Sequence, residues 1–471
     1  MNKLNKYLFA IVTALALTFT FASALMAQDK ILATINFDPK VDGYAFENYG
    51  NKNRNFQQDL TVEDMIQLFG AKTVCKTGDS AQNCVMKAAA DEWMKKQLAG
   101  MDGGHCEGMA ATILRMKFGK PFKTRSGNAP SFQTTAERPF GLKLDESIGN
   151  YIAYYFITQT FNEVAAPTTE TGKKGPVAVV NMLVDAMKSG NETYTLGFYK
   201  YDRATGKKSD GHAITPTAVE DAGNTFRIHV YDNNYPGEVR YVVVEKEGKQ
   251  TWKYVTSTNP SEPAAEYAGD IDTKTLELTP TSSREKTCYE APFAGENDER
   301  QCASSASATD EVPVETKSSL AIGEQAEFFL NNHGDMLVTT ADGKRQGFDP
   351  KTNKFYEEIR GATSNLIIGG RGKDLPNYRI PFNATGGDYK VTFSGKSLKE
   401  ESPTDFTYSA PGFTVGFENI ELDPNEILTA TISPDGEKIS FTSSADNETP
   451  SIYFAFDPED DSGDSYLVRI G

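Results

Sequence analysis

Asp102-Gly103-Gly104-His105-Cys106-Glu107-Gly108-Met109-Ala110-Ala111-Thr112-Ile113-Leu114-Arg115-Met116 is the stretch from which the fold is read. Its first part is a glycine-rich loop. Its second part sets apolar residues at 109, 110, 113, 114 and 116, the spacing of a helix buried along one face. Cys106 falls at the helix start, where unsatisfied N–H groups and the positive end of the helix dipole favour a thiolate over a thiol. The glycines turn the chain sharply and are expected to leave the sulfur reachable. A nucleophile needs both properties.

The chain has 471 residues, enough for two or three domains. Residues 1–27 read as a secretory signal: Lys3 and Lys6 form a charged start, Leu8 to Leu17 an apolar run, and Ala22-Ser23-Ala24 or Leu25-Met26-Ala27 a small-residue cleavage site. No later run approaches the ~18 consecutive apolar residues of a spanning helix. A secreted protein, extracellular or periplasmic, without a membrane span is therefore expected. The formal net charge is −17, and no basic run compensates it, so a nucleic-acid partner is disfavoured. Cysteines stand at 75, 84, 106, 288 and 302. In an oxidising compartment the close pairs Cys75–Cys84 and Cys288–Cys302 would each close a short loop as a disulfide, leaving Cys106 as the odd thiol.

In chain order, Thr61 is an N-cap with Asp64 at N3, opening a helix that Gly70 closes. Ala81 to Leu98 reads as a second amphipathic helix. Asp145 to Val164 carries Ile148, Ile152, Tyr155 and Phe156 on one stripe, and Pro176 to Met187 is a further helix before strand-like Thr193 to Tyr199. Helices followed by strands make an α+β layout. Residues 303–317 are small and polar, the composition of a linker. From about Ser318 short alternating strands separated by Asp342-Gly343 and Asp435-Gly436 turns predict an all-β sandwich. The acidic run Asp457 to Asp464 is read as a solvated loop rather than a Ca²⁺ site.

The second informative stretch runs from Asp210-Gly211-His212-Ala213 to Val230-Tyr231-Asp232-Asn233-Asn234. Two strand-like runs flank a turn at Asp221-Ala222-Gly223-Asn224, the pattern of a hairpin. Pro216 requires the first run to be an edge strand or bulged. With the pairing centred midway in that turn, His212 faces Asn233 and lies beside Asp232 and Asn234. An imidazole next to a carboxylate or amide that fixes its tautomer is the base-and-orienter half of a triad. Cys106, His212 and Asp232 thus stand in the order nucleophile, base, orienter, and the Cys106 N–H at the helix start is expected to help hold an oxyanion. A metal site built from His105, Cys106 and His212 lacks further ligands at a recognisable spacing, and neither metal nor cofactor is expected.

Gly103-Gly104-His105-Cys106-Glu107-Gly108-Met109 opening a helix, with Gly211-His212-Ala213 and Val230-Tyr231-Asp232 on later strands, resembles the papain-like cysteine protease superfamily, bacterial peptidases included, over roughly residues 31–300. The resemblance implies a catalytic set of Cys106, His212 and Asp232. Relatives place an oxyanion-donating glutamine shortly before the cysteine. Here the nearest upstream one is Gln97, nine positions away, and Asn233 is the further support residue. Where relatives often have an aromatic or small residue after the cysteine, this chain has Glu107, whose charge raises a neighbouring thiol pKa unless it points outward. The expected fold class is an α+β papain-like domain (28–302) followed by an Ig-like β-sandwich domain (318–471). The expected function is a secreted cysteine hydrolase, peptidase-like, taking a peptide or protein substrate by acyl transfer. Two other readings stay open: a catalytically inactive binding protein whose β-sandwich meets an extracellular partner, and a transglutaminase-like or amidase-like acyltransferase.

Overall fold

The computed structural model describes residues 30–51, 56, 60–119, 138–257, 263–286, 288–295, 325–369, 374–382, 386–443, 450–457 and 465–470. The expected signal peptide (1–27) and linker (303–317), Cys302 and the acidic run after Asp457 lie outside the described residues.

The first part is mixed α/β. Its longer helices are α1 (Val62–Phe69), α2 (Ala88–Gly100), α3 (Cys106–Lys117), α4 (Glu146–Ile157), α5 (Asn162–Gly172) and α6 (Pro176–Ser189). Local chemistry sets several of the boundaries. Thr61 and Asp64 close a reciprocal capping box on α1, and Asp145 caps α4 by accepting from the Ile148 N–H. The helix expected over 81–98 begins only at Ala88. The preceding residues form a two-stranded hairpin, Cys75–Thr77 with Val85–Met86, and the Cys75–Cys84 disulfide ties it down. The expected single helix over 145–164 is split between α4 and α5, with a 3₁₀ turn at Thr158–Thr160 between them.

The strands β1 (Lys30–Thr34), β2 (Tyr194–Asp202), β3 (Lys207–Ala222), β4 (Thr225–Tyr231), β5 (Arg240–Glu245), β6 (Trp252–Thr256), β7 (Ala265–Gly269) and β8 (Leu276–Pro280) form one antiparallel sheet. The order is β8-β2-β3-β4-β5-β6-β7, with β1 also pairing with β3. Val179, Val180 and Leu183 of α6 cover one face of this sheet, packing on Leu196, Ile214, Val219, Val230 and Trp252. The β3–β4 hairpin forms as expected, but its turn is Gly223-Asn224, one residue later than a pairing centred midway. A bulge between Pro216 and Ala218 then shifts the register back toward it. That bulge is how a central strand accommodates Pro216.

The C-terminal part is all antiparallel β, in two sheets. In the seven-stranded sheet the order is β10 (Thr363–Ile368), β11 (Asp374–Pro381), β9 (Gln325–Asn331), then Ser402–Ala410, Phe413–Leu422, Ser451–Phe456 and Tyr466–Ile470. The six-stranded sheet runs Lys354–Glu357, Arg345–Asp349, Asp335–Thr339, Tyr389–Ser394, Ile427–Ile432 and Ile439–Thr442. Strand alternation decides what each face buries. Phe328 joins Tyr389, Phe406 and Tyr408 in the core of this part, whereas the next residue, Phe329, turns the other way. Together with Ile367 and Leu375, Phe329 enters the apolar cluster built around Trp93, Tyr154 and Phe161. The two parts of the chain therefore share a core, which brings the β10 end against the start of α3. Among the described residues, no helix is long and apolar enough to cross a membrane.

Candidate active site

Gly104, at a φ of +101°, turns the chain into α3, and His105 stands at the N-cap. That turn sets Cys106 on the first turn of a helix wedged against β2 and β3. The β3–β4 hairpin, through its bulge, brings His212 next to Asp232: His212 Nε2 lies 2.8 Å from Asp232 Oδ1. Asp232 also accepts from the Tyr254 and Thr256 hydroxyls, at 2.8 Å each, and from the Asn234 N–H at 2.9 Å. Burial works to raise this carboxyl, but the His212 ring, together with the donors on it, outweighs burial and holds it below its ordinary range. A carboxylate so placed makes Nε2 the protonated nitrogen of His212 and leaves Nδ1 as the basic one. Nδ1 is buried and has no hydrogen-bond partner among the described residues.

The residue after His212 reaches the sulfur, with the Ala213 N–H donating to Cys106 Sγ at 3.4 Å. Asn233 Nδ2 donates to the Cys106 and Ala213 carbonyls, at 3.1 and 3.0 Å, and so pins helix to strand. The hairpin and the helix start thus bring Cys106, His212, Asp232 and Asn233 into one buried cluster. Asn48, which carries no local signal in the sequence, completes it. Its Oδ1 accepts the His105 N–H at 2.8 Å and its N–H donates to the Asn233 carbonyl at 2.9 Å, which aims its Nδ2. Asn48 Nδ2 and the Cys106 N–H converge on one oxygen, the Gly369 carbonyl, at 2.9 and 3.2 Å.

Three expectations are corrected. The sulfur is not reachable: Cys106 is wholly buried, against Ile368, Tyr199 and Ala213. Burial pushes its thiol well above the ordinary value, opposed by the Ala213 N–H and reinforced by the Glu107 and Asp232 charges, so the resting group is a thiol. That thiol points at the Ile368 carbonyl, 3.4 Å away. Gln97 is not an oxyanion donor, because its Nε2 is engaged by Glu327 at 3.2 Å. Glu107 points inward rather than outward, where it is ion-paired with buried Arg284 and accepts from the Thr195 hydroxyl at 2.8 Å. The other two histidines of the first part, His105 and His229, have structural partners. His105 stacks on Tyr49 and has Nδ1 2.7 Å from the Tyr49 carbonyl, while His229 pairs with Glu220. Cys288 is disulfide-bonded, and its expected partner Cys302 lies outside the described residues.

Among the described residues, no group of three or more His, Cys, Asp or Glu side chains is arranged to hold a metal ion. No protein-family model matches the sequence, and neither a curated protein nor a solved structure matches it.

Proposed function

We propose that the chain is a secreted, papain-like thiol hydrolase that cleaves peptide or related amide bonds by acyl transfer through Cys106, His212 and Asp232. One observation carries this reading. A buried imidazole is fixed by a carboxylate on Nε2 and left open on Nδ1, and the residue after it contacts the sole cysteine outside a disulfide among the described residues.

In the reaction, His212 Nδ1 takes the Cys106 proton, and the thiolate adds to the substrate carbonyl carbon. The carbonyl oxygen, now carrying the negative charge, lies between the Cys106 N–H and Asn48 Nδ2. Collapse of the adduct breaks the C–N bond, and the proton held on Nδ1 passes to the departing amine. Nδ1 then takes a proton from water, whose oxygen adds to the thioester carbon. The C–S bond breaks, the acid leaves and the sulfur recovers its proton. Asp232 stays ionised throughout and stabilises the imidazolium.

The test is hydrolysis of a fluorogenic peptide-amide library by the full chain and its Cys106→Ala variant, each carrying Ile368→Asp to uncover the buried thiol. The variant is expected to keep the circular dichroism of the parent and lose all hydrolysis. Equal hydrolysis by both proteins contradicts the proposal. Complete burial of Cys106 is the observation that favours the second reading, a catalytically silent binding protein.

A further inference from the structure

Burial of the thiol has a specific cause. The last residues of β10, Leu366 to Ile368, and Gly369 after them run across it, and their backbone groups are met as those of a bound peptide would be. The Ile368 N–H donates to Gln159 Oε1 at 2.8 Å, the Ile368 carbonyl accepts from the Cys106 thiol at 3.4 Å, and the Gly369 carbonyl takes both the Cys106 N–H and Asn48 Nδ2. Two converging N–H donors on one carbonyl oxygen are what an acyl-transfer site offers its substrate.

We infer that this segment is an intramolecular pseudo-substrate that keeps the thiol latent, and that its sequence reports the substrate class: peptides with glycine at the acyl position, preceded by a branched aliphatic residue. The inference rests on the hydrolase reading and adds specificity and regulation to it.

Steric detail supports the class. A Cβ on Gly369 would fall 2.1 Å from the Gly103 carbonyl oxygen and 2.5 Å from its carbon, backbone atoms of the loop that opens α3. No side chain that yields is involved, so this position takes glycine. The Ile368 side chain lies against Tyr199, Ala213 and Cys106. Gly211 keeps room for it, since a Cβ there would come within a tight 3.3 Å of Ile368 Cγ1, while a Cβ on Gly197 would meet its Cδ1 at an ordinary contact distance of 3.5 Å. A buried apolar recess of this size takes a branched aliphatic group and rejects a charge. A cavity of about 320 Å³ borders the same segment, lined by Leu366, Ile368, Gln159 and Tyr199 among others, so the segment has space beside it. The segment is not turned over, because its contact with the sulfur holds the proton on the thiol, facing the Ile368 carbonyl.

The test uses the full chain with Ile368→Asp and, separately, Gly369→Ala, each checked by near-ultraviolet circular dichroism. Alkylation of Cys106 by iodoacetamide should be faster in both by about tenfold or more, the effect of losing the hydrogen bonds accepted by Gly369. Both should also hydrolyse a fluorogenic Leu-Ile-Gly amide faster than Leu-Asp-Gly or Leu-Ile-Phe amides. Alkylation at the parent rate in both folded variants overturns latency. Faster alkylation with a preference for the Phe amide overturns the substrate class. Faster alkylation with no hydrolysis of any peptide overturns the hydrolase reading and the substrate class with it, while leaving the segment as the cover of the thiol.

Discussion

Two buried polar clusters lie where the two parts of the chain meet, and they are finished differently. Around Glu327 of β9, one carboxylate collects Trp93 Nε1 at 2.9 Å, Gln97 Nε2 at 3.2 Å, Asn377 Nδ2 and the Arg379 guanidinium at 3.5 Å. Around His212, Asp232 is equally well served by four groups, yet the imidazole it orients has an open nitrogen. The groups around Glu327 also leave buried atoms open, Gln97 Oε1, Asn377 Oδ1 and Arg379 Nε, but amide oxygens and a guanidinium N–H are not bases, whereas an unprotonated imidazole nitrogen is. A buried ring with one nitrogen fixed and the other open is under-satisfied at a cost of about 1–3 kcal/mol, which evolution retains where the open atom has work to do.

That contrast can be broken experimentally. The largest expected effect is on the His212 side: Asp232→Asn presents an amide N–H₂ to Nε2, reverses the tautomer and places a proton on Nδ1. In the Ile368→Asp background, where the thiol is uncovered, turnover of a cleaved peptide should fall by about 10⁴-fold, the loss the same exchange causes in a serine triad. Steady-state kcat/KM measures it, and a drop of less than tenfold would mean the ring is not oriented by Asp232 for chemistry. On the other side, Glu327→Ala leaves Arg379, 3% exposed, without its counter-charge and strips three neutral donors of their acceptor. It should cost about 3–5 kcal/mol of stability in denaturant unfolding. Loss of under 1 kcal/mol would show that water or a local shift replaces the carboxylate, and the two clusters would then not differ in the way described.

How far the sequence exposed this site follows the range of the interactions. The capping box at Thr61 and Asp64, the Cys75–Cys84 bridge and the His212–Asp232 pair are all set by short-range chemistry: a helix start, a short loop, a hairpin. Even there the one-residue displacement of the turn was hidden, because Asp221 to Asn224 offers several turn residues in a row. What could not be read is long-range. Asn48 meets His105 from 57 positions away, Arg284 meets Glu107 across 177, and Glu327 captures Gln97 across 230. The β10 end reaches the sulfur from 262 positions downstream. The glycines before Cys106 were read as leaving the sulfur reachable, whereas Gly369 of the same chain packs its backbone against Gly103 and helps close the sulfur off.

The central claim is that Cys106 and His212 act as one nucleophilic unit. Its most direct test is covalent capture in the Ile368→Asp chain by an acyl-Ile-Gly nitrile, located by peptide mass spectrometry and timed with and without His212→Ala. The account predicts a thioimidate adduct on Cys106, forming at least about 10²-fold more slowly when His212 is removed. An adduct on another residue, or one that forms on Cys106 at the same rate without His212, would contradict it.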